Sequence, residues 1–78
     1  MTWADLKTKW QKDGRGLFLR VETKKVDTDV TRNARIDISA PNEQSLNISV
    51  ESTDAIDLVI VACCNLADAE LTILYPEN

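Results

Sequence analysis

A chain of 78 residues and 8.7 kDa has room for one hydrophobic core, and residues 1–78 are read as a single domain. Its 44% apolar content is too high for a disordered chain and is divided into runs too short to span a bilayer. The net charge of −4 is acidic, and no histidine is present to act as general base or metal ligand.

The chain opens with Thr2-Trp3-Ala4-Asp5, a hydroxyl followed three residues later by an acid, which is the spacing of a reciprocal N-terminal cap. Trp3, Leu6 and Trp10 then recur at helical spacing, and Asp13-Gly14 supplies a stop, so a helix of about three turns is expected. It is too short to stand alone and must dock on the rest of the domain. From Gly16 the period becomes two. Leu17, Leu19 and Val21 alternate with Phe18, Arg20 and Glu22 as a strand with one buried face. Thr23 to Asn33 reads as a weaker strand or an extended arm. Arg35–Ala40 and Ser45–Glu51 alternate on either side of Pro41-Asn42 and form a hairpin.

Ala55 to Cys64 is apolar on both faces. Periodicity alone does not separate a covered strand from a buried helix over residues 54–69. Ile56, Val59, Ile60 and Val61 are β-branched, however, and favour a central strand. In a strand Cys63 and Cys64 would point to opposite faces. Leu71, Ile73 and Tyr75 complete a last strand before Pro76. The expected fold is therefore α+β: a short N-terminal helix packed on one mainly antiparallel sheet or half-open barrel of about five strands.

Charge is segregated along the chain. The first 35 residues hold all nine basic residues against five acids, a net of +4. The 43 residues that follow hold eight acids and no Lys or Arg, a net of −8, and the two halves together give −4. Either strands from the two halves interleave and neutralise one another, or the surface is bipolar with an acidic patch that steers a basic protein partner.

Without histidine, Ser-His-Asp and Cys-His arrangements are impossible. Gly14 and Gly16 are the only glycines, too few for a Walker loop or a dinucleotide fingerprint. Two neighbouring cysteines supply neither a zinc site nor an unstrained disulfide, and they read as inert thiols in a reducing, cytoplasmic setting. The acids Asp54, Asp57, Asp68 and Glu70 match no calcium loop and are expected in solvent. No catalytic, cofactor or metal residue is expected, and no leader segment is read at the N-terminus.

The function expected by exclusion is a small, acidic, non-catalytic protein-binding module, of the kind in which an inhibitor or immunity protein blocks a partner by occupying its surface. Asp54, Asp57, Asp68 and Glu70 would steer the encounter with a basic partner surface, and Trp3, Trp10 or Tyr75 would anchor it. One alternative is a homo-oligomer in which the basic half of one subunit meets the acidic half of the next. Another rests on Phe18 and Arg20, which share a strand face near Lys24, Lys25, Arg32 and Arg35. A helix followed by about five strands is similar in layout to the small RNA-binding barrels of the Sm-like fold. An acidic chain suits phosphate poorly, so nucleic acid and membrane are not expected partners.

Overall fold

The computed structural model describes residues 1–12, 14–41 and 43–76, which run helix, three strands, helix. The elements are α1 (Trp3–Trp10), β1 (Gly16–Val26), β2 (Asp29–Ser39), β3 (Leu46–Ser52) and α2 (Ile56–Leu74). The α+β class holds. The expected count of about five strands does not, because the two C-terminal strands are one helix.

The cap at Thr2 forms as the spacing predicts. The Asp5 amide donates to Thr2 Oγ1 at 3.1 Å, and the Thr2 amide donates to Asp5 Oδ2 at 3.2 Å. The Thr2 amide first, and the Thr2 hydroxyl second, hold the Asp5 carboxyl below the usual carboxylate range. The helix ends at Trp10, where the Gln11 amide donates to the Lys7 carbonyl. Gly14 turns the chain toward β1 at φ +82°, a conformation open to glycine, and a Cβ there would meet the Pro41 ring at 3.2 Å. Asp13 of the expected stop lies outside the described residues.

The strands form an antiparallel sheet in the order β1-β2-β3. β1 and β2 pair residue by residue from Gly16–Ser39 to Val26–Asp29, so Asp27 and Thr28 alone make the turn. Asp27 adopts φ +56°, which aspartate tolerates better than most side chains. The stretch Thr23–Asn33 is thus the end of one strand, a turn and the start of the next. β3 pairs with β2 from Ile38–Leu46 to Arg32–Ser52, the expected hairpin; Asn42 of its turn lies outside the described residues. Beyond Arg32 no third strand accompanies the first two, and Lys24, Lys25 and Val26 project with Asp29, Val30 and Thr31 as a two-stranded ribbon. The ribbon accounts for a radius of gyration of 13.5 Å, against about 11.5 Å for a compact chain of this length.

Residues 54–75 carry the main correction. Ile56–Leu74 is a 19-residue helix, not a central strand followed by an edge strand. The physical reason is that a three-stranded sheet with one apolar face needs a cover. Leu17, Ile36, Ile38 and Ile48 point to that face, and a helix can bury Val59, Cys63, Ala67 and Leu71 against it at spacings of four. Strand preference for Ile and Val amounts to at most about 1 kcal/mol and depends on context, less than burying such a face supplies. Cys63 and Cys64 consequently do not face opposite ways across a sheet; both are buried within the core. Among the described residues the three strands leave two open edges and form no barrel.

α2 packs across β2 and β3 and also meets α1. Leu6 and Trp10 of α1 belong to the same buried cluster as Leu17 of β1, and α1 reaches that cluster chiefly through its contact with α2. The opposite sheet face is uncovered.

Candidate interaction surface

Where α1 meets α2, the polar ends of buried side chains are satisfied locally. Trp10 is 3% exposed, and its Nε1–H donates to Asp68 Oδ1 at 2.8 Å, while Lys9 Nζ approaches the same oxygen at 2.9 Å. The indole bond first, and the lysine second, hold the Asp68 carboxyl below its ordinary range. Further along, the Arg15 guanidinium lies 4.3 Å from the Tyr75 ring centroid and 5.8 Å from that of Trp10. Its Nε makes no hydrogen bond, and the 3.9 Å approach of Glu43 is a charge contact only. The same Glu43 carboxylate pushes the Tyr75 hydroxyl above its ordinary value.

Asp68, Trp10 and Tyr75, expected at a partner surface, are therefore engaged in tying the termini of the fold together. Trp3 is half-buried, with Lys7 Nζ 5.5 Å from its ring centroid. Asp54, Asp57 and Glu70 are exposed, and among the described residues no Lys or Arg pairs with them. These three acids lie around α2 and the turn before it, and they do not converge on one point. Arg32 binds the carbonyls of Thr53 and Asp54 at 3.4 and 3.2 Å and so fixes that turn.

The two cysteines are positioned as packing groups. Cys63 Sγ lies 3.4 Å from the Ala34 carbonyl oxygen and 3.6 Å from that of Ile48. Burial pushes its thiol up to about 11 and raises that of Cys64 as well, the reverse of what a nucleophile requires.

The uncovered sheet face has a shallow hollow of about 370 Å³ lined by Arg20, Glu22, Asn33, Arg35, Asn47 and Ser49. Phe18, Arg20 and Lys24 share this face, whereas Lys25 and Arg32 occupy the alternate positions on their strands and belong to the other. Glu22, Asp37 and Glu51 stand among the cations, and Arg35 is held by Asp37 at 2.9 Å. The face is mixed in charge, without the basic track that a phosphate chain needs.

A different feature stands out on α2. Leu58, Leu66 and Ile73 are 61%, 44% and 75% exposed, and the exposed Ala62 and Ala69 lie between them. At about 100° per residue, Ala62, Leu66, Ala69 and Ile73 share the flank of the helix turned away from Asp68, hence away from α1 and toward β3, with Leu58 beside them. β3 is an edge strand with no Lys, Pro or bulge along it, whereas β1, the other edge, carries Arg20, Lys24 and Lys25. One side of the molecule thus combines an apolar helix flank with an unpaired strand edge, and neither α2 nor β3 carries a Lys or Arg of its own. The spacing 58, 62, 66, 69, 73 was present in the sequence; reading the segment as a strand concealed it. No family model, curated protein or solved structure matches the chain.

Proposed function

We propose that this chain is a non-catalytic protein-binding module whose contact surface is the side formed by the free flank of α2 and the edge of β3. The observation that carries this reading is the exposed row of Leu58, Leu66 and Ile73 beside an unprotected strand edge. Exposed apolar area arranged as a stripe, rather than scattered singly, marks an association site on a small domain. Of the expected acids, Glu70 lies beside the stripe, positioned to influence encounter more than final affinity, while Asp57 lies on the Asp68 side of α2. The aromatic anchors are replaced by aliphatic ones, because Trp10 and Tyr75 serve the fold. Such a module acts by occupying a surface, as an inhibitor does.

The test is capture from a lysate of the source organism in which tagged and untagged copies are co-expressed, comparing wild type with Leu66→Glu and Ile73→Glu. A stoichiometric protein retained by wild type and lost from both variants, with the variants' melting curves unchanged, is the expected outcome. The same proteins retained by all three, or none by any, would remove the reading.

A further inference from the structure

We infer that the occupant of this surface is a second copy of the chain, joined by antiparallel pairing of β3 with its counterpart about Ser49 and by packing of α2 on its counterpart. The inference rests on the binding-module reading above and names its partner.

One placement satisfies both contacts. α2 contacts both β2 and β3; taking its axis to run along the strands midway between the two places it about 2.4 Å inside β3, at a strand spacing of about 4.8 Å. Adding a copy of β3 at that same spacing sets the two helix axes about 10 Å apart, at the upper end of the separation at which helices pack. The free flanks of the two helices then face each other across the two-fold axis, and the joined sheet has six strands.

Register follows from side-chain parity. Only pairings that set inward residues opposite inward residues keep the apolar face continuous. Among these, the one centred on Ser49 uses the whole of Leu46–Ser52, sets Ile48 opposite Val50 of the second copy, and sets Asn47 opposite Glu51. An amide donor meets a carboxylate there, and no acid on the strand meets its own copy. The axis passes near the Cys63–Leu66 turn of α2, because Cys63 touches the Ile48 carbonyl oxygen beside Ser49. Leu66 of one helix then meets Leu66 of the other near the axis, Ile73 extends the contact on either side, and the small Ala62 and Ala69 allow close approach.

The size of the contact sets its strength. The side is about 25 Å long, the length of a seven-residue strand and the helix beside it, and two layers deep in a molecule whose shorter dimensions are 21 and 18 Å. Both copies together cover on the order of 900 Å² in projection, at the low end of specific interfaces, so association in the micromolar range is expected. Charge sets its salt dependence. β3 and α2 themselves hold no Lys or Arg and each copy carries a net charge of −4, so two copies repel at long range even with Arg35 standing opposite Ser49 on β2. Salt screens that repulsion and strengthens the dimer, whereas an oligomer joining basic to acidic halves would be weakened by it.

Sedimentation equilibrium of the full chain, from about 1 to 500 µM and at about 50 and 500 mM salt, tests this. The expected result is a mass rising from 8.7 kDa to twice that value, with a dissociation constant several-fold lower at high salt. Leu66→Glu should weaken association at least about tenfold. On the exposed sheet face, Asn47→Lys should tighten it and Asn47→Glu weaken it, since each meets Glu51 of the other copy. A chain that stays monomeric throughout, or a dimer that salt dissolves or that ignores Leu66→Glu and both Asn47 variants, overturns the inference. A monomer that still retains a foreign protein through a Leu66-sensitive contact overturns only the choice of partner; a monomer without such a contact overturns the binding-module reading as well.

Discussion

Cys63 and Asp68 show how far the chemistry of a residue depends on what lies against it. With its thiol raised to about 11, Cys63 is about one part in a thousand thiolate at about pH 8, and Cys64 is buried beside it. The native protein should therefore leave a disulfide reagent at that pH nearly unconsumed, while the urea-unfolded chain consumes two equivalents; rapid modification of the native chain would show that the helix opens there. Asp68 behaves in the opposite sense. Its folded pKa lies below its unfolded value, so the contact with Trp10 and Lys9 stabilises the fold fully above the ordinary carboxylate range. That stability is lost as pH falls through the folded value. Trp10→Phe removes the indole donor and should cost about 1–2 kcal/mol at neutral pH by urea unfolding. The difference from wild type should shrink on acidification, and a difference independent of pH would mean that packing, not the hydrogen bond, had been lost.

At the scale of elements, α1, the start of β1 and the hairpin at Pro41 were readable because each is marked by local chemistry: a reciprocal cap at Thr2 and Asp5, a change of period at Gly16, and Pro41 between alternating runs; the turn at Asp27 and Thr28, which divides the expected weak strand or arm into the ends of β1 and β2, was not. α2 bears no such mark at its start. Ala55 occupies the N-cap with no side-chain acceptor, and the helix that follows is rich in β-branched residues, so the local signals pointed to strand. The helix exists because the sheet requires a cover, a fact about distant residues. Ala55→Ser supplies the missing acceptor and should raise stability by about 0.5–1 kcal/mol in denaturant unfolding. An unchanged midpoint would indicate that the first turn is already satisfied by other groups. The free flank of α2 was hidden by the same misreading, since a row at positions 58, 62, 66, 69 and 73 is continuous only on a helix.

Across the whole molecule, the basic and acidic halves are neither fully mixed nor fully apart. Lys9–Asp68 and Arg15–Glu43 join the two halves within one subunit, yet the surface of α2 keeps unpaired acids and the ribbon keeps Lys24 and Lys25. The shape is uneven as well. The ribbon from Thr23 to Val30 has neither a third strand nor a helix over it, and a two-stranded ribbon is marginal in water. Its amides should exchange with solvent at least about a hundredfold faster than those of Ile36 and Ile38 in the covered centre of β2. Uniform protection along β1 would show that something else covers the ribbon.

Composition and local pattern settled the single domain, the α+β class, the capped first helix, the hairpin at Pro41 and the uneven charge, because each follows from residues near one another in the chain. The identity of the second helix, the diversion of Trp10, Tyr75 and Asp68 into internal contacts, and the apolar side beside β3 were decided only when distant segments met. A helix face or a strand edge becomes a surface through what the rest of the chain leaves uncovered, and that is a property of the assembled layers.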